Sequence, residues 1–173
     1  VLTPAELAKL RAAVMPNIAK LSWANTTVAN TVGAYPTTPA FAELFSHAGL
    51  LKRIREELRI RDLAYLSAVL IFKVPGEGRR PWHQDWFAYG HEAFTDRPPQ
   101  LGIMWYLTPT SPEHGCLRVV PGSHRPGHMI NVRKLSDPAQ DLPGEVDVTT
   151  QPGDALILDA RLLHAAHANT TQA

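Results

Sequence analysis

Proline and glycine are unevenly shared along this chain of 173 residues: 11 of 15 prolines and 9 of 11 glycines lie beyond residue 70. Proline removes a backbone donor and glycine frees the left-handed backbone region, so together they limit how far a regular element can run. The imbalance predicts helices in the first part of the chain and short strands joined by tight turns in the rest. A length of 173 residues with 45% hydrophobic content supports one core, and hence one domain, helical over about 1–62 and β over about 63–173.

Local signals agree with that division. Thr3-Pro4-Ala5-Glu6 is a capping box with proline at the first helical position, and Leu7, Leu10, Ala13 and Val14 follow at helical spacing. A helix is predicted from Pro4 to Met15. Thr38-Pro39 opens a second apolar face through Phe41, Leu44, Phe45 and Ala48, continued by Leu50, Leu51, Ile54 and Leu58 and interrupted near Gly49. Two helices and one broken helix both fit. Leu66 to Val74 is apolar, partly β-branched and stopped by Pro75-Gly76-Glu77-Gly78, which predicts a strand buried on both faces. Further strands are predicted at Trp82–Phe87, Leu101–Leu107, Cys116–Val120, Val146–Thr149, Ala155–Ala160 and Leu162–Ala168. About seven short strands after a helical layer are the mark of a sandwich or jelly roll. The polar segment from Gly122 to Gly144 is either a loop over a site or a mobile insert.

Charge narrows the partner. Lys and Arg number 17 against 16 Asp and Glu, a net +1 without a long run of either sign, which argues against nucleic acid and membrane surfaces and for a small-molecule substrate. Oligomeric state is left open. One cysteine, Cys116, cannot form an internal disulfide, and the composition fits a reducing, cytoplasmic compartment. No stretch approaches the roughly 20 apolar residues of a membrane span, so a soluble, untargeted chain is expected.

Eight histidines remain to be sorted. His47, His91, His114, His124 and His128 sit on a helix or in polar turns and read as structural or solvated. His83-Gln84-Asp85 differs, because residues i and i+2 of an extended chain share a face and can occupy adjacent corners of one metal ion. Trp82, Trp86, Phe87 and Tyr89 surround this tripeptide with aromatic bulk, as a partly dry site requires. A third ligand must come from elsewhere, and His164 stands in apolar company after Gly153-Asp154 and a predicted strand. His167, three residues on, would face the other way. Two histidines and one carboxylate cover one face of an octahedral ion and leave the rest open, the facial triad of non-haem Fe(II) oxygenases.

Three segments then occur in order: Trp82-His83-Gln84-Asp85; Glu113-His114-Gly115-Cys116-Leu117-Arg118-Val119-Val120-Pro121-Gly122-Ser123-His124; and Gly153-Asp154 through His164 to Asn169. From about Val69 to Asn169 the chain resembles the phytanoyl-CoA dioxygenase family of Fe(II)- and 2-oxoglutarate-dependent oxygenases. The resemblance implies a double-stranded β-helix, the cupin-like jelly roll, with His83, Asp85 and His164 on iron. It implies Fe(II), 2-oxoglutarate as co-substrate and O2, with the co-substrate leaving as succinate and CO2 while a C–H bond is hydroxylated. Val69 and Ile71 are expected to line the 2-oxoglutarate pocket, with Trp105 beside it. Trp86, Phe87 and Tyr89 are candidates for substrate contact, and natural-product tailoring is the expected setting.

Departures from the family pattern also bear on function. Pro121-Gly122-Ser123-His124 suits a tight turn whose serine bonds backbone, a structural role. His114 stands where relatives often have Asn, a change confined to a loop. The family's arginine for the far carboxylate of 2-oxoglutarate lies roughly ten residues beyond the distal histidine, as a bidentate cation suits. That count passes Ala173, so the final strand is expected to be missing from the chain as given. Lys73, beside Pro75-Gly76, reads as solvent-facing, and Arg125 is a weak substitute. Two other classes remain: a cupin-type lyase or isomerase using the same ligands, and a non-catalytic ligand-binding jelly roll.

Overall fold

A computed structural model describes residues 2–18, 28–29, 39–68, 70–86, 97–128 and 130–172. They fall into two compact units, Val1–Phe72 with Gly153–Ala155, and Lys73–Pro152 with Leu156–Ala173.

The first unit is mainly helical. Helix α1 (Pro4–Ile18) starts at the expected box: Thr3 N donates to Glu6 Oε2 at 2.7 Å and Glu6 N to Thr3 Oγ1 at 3.3 Å. It passes the predicted end and runs through Pro16. Leu10 and Val14, one turn apart, are buried. The second apolar face resolves into α2 (Pro39–Phe45) and α3 (Ala48–Glu57). The break falls at Ser46-His47, ahead of Gly49, because His47 caps α3 with Nδ1 accepting from Leu50 N at 3.1 Å. Leu50 and Ile54 bury the inner stripe of α3, and Lys9 of α1 reaches Glu43 of α2 at 2.5 Å. Strands β1 (Val28–Ala29) and β2 (Leu70–Ile71) pair antiparallel.

The long buried strand expected over Leu66–Val74 is therefore a correction. Among the described residues of that run only Leu70 and Ile71 are paired in a strand, and Leu66 and Ile71 are 72% and 52% exposed. Apolar composition records a preference for burial, whereas burial needs a facing surface that the local sequence does not contain.

The second unit is β. Strands β3 (Arg80–His83), β8 (His164–Ala166), β5 (Leu117–Val119) and β6 (Val146–Val148) form an antiparallel sheet in that order. Strands β4 (Leu101–Trp105) and β7 (Ala155–Asp159) form a second pair. The strand expected at Trp82–Phe87 is displaced to Arg80–His83, because the chain turns after His83, and Phe87 lies outside the described residues. The other five strands expected beyond residue 100 are observed, each somewhat shorter. Trp82, Leu142, Leu163 and Ala165 make the core on one face of the larger sheet, with Val120, Ile130, Val132 and Leu135 against them. The segment from Gly122 to Gly144 thus supplies a wall of this core. Arg118, fully buried, fastens that wall: it donates to Asp141 Oδ1 at 2.9 Å, Glu145 Oε1 at 3.2 Å and Ala139 O at 3.0 Å. Its guanidinium also lies 4.8 Å from the Trp82 ring centre.

The Pro121-Gly122 turn is built as its residues require. Gly122 has φ +84°, Ser123 N donates to Val120 O at 3.2 Å, and buried Ser123 Oγ accepts from Leu163 N at 2.8 Å. Ser123→Ala leaves the Leu163 N–H buried and unpaired. Urea unfolding should show a loss of about 1–3 kcal/mol; an unchanged midpoint would mean that another acceptor serves this donor.

Candidate metal centre

Antiparallel register places His83 directly opposite His164, across an irregularity in β3 between Arg80 and His83. Their ring centres are 4.2 Å apart. Alternation along β3 sends Trp82 into the core, 3% exposed, and leaves His83 on the other face. The chain then turns: Asp85 N and Trp86 N donate to Ala160 O at 2.9 and 3.0 Å, and Gln84 Nε2 donates to Arg161 O. These bonds fasten the Asp85 backbone to the turn that leads into β8. Asp85 Oδ1 lies 3.9 Å from His83 Nε2, and Oδ2 lies 3.7 Å from His164 Nε2. One donor atom from each residue lies within 4.8 Å of the others.

Both imidazoles are oriented by backbone. His83 Nδ1 is 2.8 Å from Pro81 O and His164 Nδ1 is 2.9 Å from Leu162 O. A carbonyl only accepts, so each Nδ1 carries a hydrogen, and Nε2 is the ring nitrogen turned towards Asp85. Burial pushes His164 below the usual histidine range, and the neighbouring His83 adds to this against the Leu162 carbonyl and Asp85. His164 is accordingly neutral near pH 7, the form that binds metal. The side chains of His83 and Asp85 are about half exposed, at 47% and 44%, so the cluster opens to one side. Two imidazole nitrogens, a carboxylate and an open side fit a divalent first-row ion that keeps free positions.

The other sequence candidates are distributed differently. Trp82 does not surround the polar cluster, because strand alternation turns it into the core. Trp86 is half-buried, and its buried Nε1 has no hydrogen-bond partner among the described residues. Phe87, Tyr89 and Val69 lie outside the described residues. Ile71 lies on β2 in the first unit, and Trp105 ends β4, partly buried. His167 Nε2 is 2.6 Å from Asp147 Oδ1, in a separate cluster. Lys73 is not solvent-facing: its side chain is 12% exposed, and Nζ donates to Gly78 O at 2.6 Å and Glu77 Oε1 at 3.3 Å.

Two supports were missed in the sequence. Asp159 accepts from Arg161 N and Nε, both at 2.9 Å, and from Nη2 at 2.6 Å, which clamps the turn before His164. Their i, i+2 spacing was a signal for such a turn. Buried Asn169 holds the Lys73 segment from the far side, with Nδ2 donating to Lys73 O at 2.7 Å. Gly115, at φ +74°, lies where a Cβ would meet Lys73 Cγ at 2.6 Å and His167 O at 3.0 Å.

The lowered His164 value has a signed consequence for the metal-free chain. The folded state binds fewer protons than the unfolded state below the ordinary histidine value of about 6.5, so stability falls as pH drops through that window. Thermal midpoints measured against pH should fall more steeply for the native sequence than for His164→Gln. Parallel curves would remove His164 as the source.

Comparison with known proteins adds the following. The profile of the phytanoyl-CoA dioxygenase (PhyH) family matches residues 1–173. Phytanoyl-CoA dioxygenase 1 of Oryza sativa subsp. japonica is 28% identical over 143 residues, 76% of this chain and 48% of the rice protein. Dioxygenase andF of Emericella variicolor is 41% identical over 114 residues, 62% of this chain and 36% of the fungal protein. Among solved structures, the non-heme alpha ketoglutarate dependent carbocyclase SnoK from nogalamycin biosynthesis matches with a TM-score of 0.73 at 26% identity, covering 100% of this chain and 72% of SnoK. The chain spans half or less of the length of these curated relatives. The architecture they share with it is the mainly β, cupin-type jelly roll. By this whole-length match the chain belongs to the phytanoyl-CoA dioxygenase family.

Proposed function

We propose that the chain carries the catalytic centre of an Fe(II)- and 2-oxoglutarate-dependent oxygenase that hydroxylates an unactivated C–H bond of a small organic molecule. The observation that carries this reading is the convergence of His83, Asp85 and His164, with both imidazoles turned so that Nε2 faces the carboxylate. Residues 1–173 are read as one jelly-roll oxygenase domain in which these three side chains hold the iron.

His83, Asp85 and His164 would hold the iron, which with 2-oxoglutarate and O2 would supply oxidising power sufficient for an unreactive C–H bond. The protein's part is placement. Pro81 O and Leu162 O hold the two imidazoles in the ligating tautomer, and Ala160 O holds the backbone of Asp85. Asp85 fills the position that a halide needs in a halogenating enzyme, which favours hydroxylation. Val69, Ile71 and Trp105 are assigned to the 2-oxoglutarate pocket. Trp86, Phe87 and Tyr89 are assigned to the substrate; the indole N–H of Trp86, which has no partner among the described residues, is a donor suited to a polar group on it. Buried Arg118 and Arg161 are both bound to carboxylates of their own chain, Arg118 to Asp141 and Glu145, and Arg161 to Asp159.

The substrate class is a natural product or a comparable small molecule. SnoK, from nogalamycin biosynthesis, is a carbocyclase, so ring closure after hydrogen removal is the second outcome to test in products.

Anaerobic titration of the Fe(II)-loaded protein with 2-oxoglutarate tests the reading. A weak visible charge-transfer band should grow to saturation and be absent in His83→Ala, Asp85→Ala and His164→Ala. His167→Ala should keep it. Iron bound without such a band would move the chain to the lyase or isomerase class, and a band lost only in His167→Ala would overturn the ligand assignment.

A further inference from the structure

The larger sheet carries a second convergence of ligand-type side chains, on the face away from His164. One step past the Leu117–Ala166 pair of β5 and β8, His167 N donates to Cys116 O at 3.0 Å, which sets these two residues side by side. On the other flank of β5, Asp147 of β6 is opposite Arg118, two residues along from Cys116 and so on the same face. One donor atom from each of Cys116, Asp147 and His167 lies within 4.8 Å of the others. Cys116 just ahead of β5, Asp147 within β6 and His167 just after β8 thus deliver their side chains to a common point.

We propose that Cys116, Asp147 and His167 form a second cation site, suited to a borderline-soft divalent ion of the Zn(II) class and separate from the His83, Asp85 and His164 cluster. A sulfur, an imidazole nitrogen and a carboxylate oxygen make the mixed set that Zn(II) accepts in tetrahedral geometry, with bonds of about 2.0–2.3 Å. A hard cation such as Mg(II) would take oxygen ligands and little else. Access is graded: Cys116 is 1% exposed, the His167 side chain 16% and the Asp147 side chain 40%. The cation therefore enters past Asp147, and water completes its fourth position.

Around Cys116 the carboxylates Asp147 and Glu113 favour a cation, while burial and Arg118 oppose one. Burial first, then Asp147, raises the Cys116 thiol to about 11, Glu113 acts in the same direction, and Arg118 opposes them. Arg118 is itself bound to Asp141 and Glu145. The low-dielectric, acidic setting that discourages a bare thiolate is the one in which a divalent cation stabilises it. On binding, the thiol proton passes to solvent, a sulfur–metal bond forms, and His167 turns over its Nε2 lone pair by taking the Nδ1–H tautomer. A bound ion would tie β5, β6 and β8 together, and β8 carries His164.

Co(II) is the probe, because a thiolate ligand gives it an intense near-ultraviolet charge-transfer band that imidazole and carboxylate ligands do not. In the full chain carrying His83→Ala and Asp85→Ala, the band should appear, saturate at one ion per chain, and be displaced by Zn(II). Cys116→Ser should abolish it, while Asp147→Asn and His167→Gln should each weaken Co(II) binding by about tenfold or more. The last two are partly exposed positions, so they test the site even if the Cys116 variant fails to fold. Co(II) binding without the band, or a band with equal affinity in Asp147→Asn and His167→Gln, would overturn the proposal.

Discussion

The antiparallel pairing of β3 with β8 is the constraint on which the candidate centre depends. Two histidines 81 positions apart in sequence become neighbours because their strands pair in one register. A slip of one residue would exchange His164 for Leu163 or Ala165, both core residues, and would send the imidazole to the wrong face. Register and core packing are therefore one requirement. Trp82, Leu163 and Ala165 prefer the dry side, and the same alternation leaves His83 and His164 on the other.

The pairing is held largely by buried polar groups. Arg118 gathers Asp141, Glu145 and Ala139 O, and so presses the irregular Gly122–Gly144 segment onto Trp82. Ser123 and Val120 hold the two sides of the Leu163 peptide, next to the distal histidine. Ala160 O takes the two backbone donors around Asp85, and Arg161 with Asp159 stiffens the intervening turn. In a low-dielectric interior such bonds are directional and costly to lose, so they fix geometry that apolar packing alone leaves loose. Placement to within about 0.5 Å is what a metal ligand requires, and such bonds limit how far these side chains can shift.

The same sheet offers two faces of different chemistry. On one side two imidazoles and a carboxylate fit an ion with open positions; on the other the thiol of Cys116, an imidazole and a carboxylate come together. His164 and His167 are three residues apart, an odd step along an extended chain, and each joins a different cluster for that reason.

Much of this was legible in the residues. Capping at Thr3-Pro4-Ala5-Glu6 and the Pro121-Gly122 turn are local, set by backbone geometry within a few positions; the i, i+2 spacing pointed to His83 with Asp85, but Asp85 lies past the end of β3 and is held by remote Ala160 O. The preference of His164 over His167 as the partner of His83 followed from strand alternation. Other features were not legible. Leu66 to Val74 has the composition of a buried strand, yet its exposure depends on whether another segment covers it. Lys73 looked solvated until Glu77, Gly78 and the Gly115 backbone closed around it. The union of Cys116, Asp147 and His167 needed the β5–β6 and β5–β8 registers, which no single segment encodes. The sequence by itself determined the elements, the turn chemistry and the ligand types, because these follow from covalent geometry and near-neighbour spacing. Tertiary structure alone decided which faces meet and which polar groups are buried, because pairing and desolvation depend on residues that are remote along the chain.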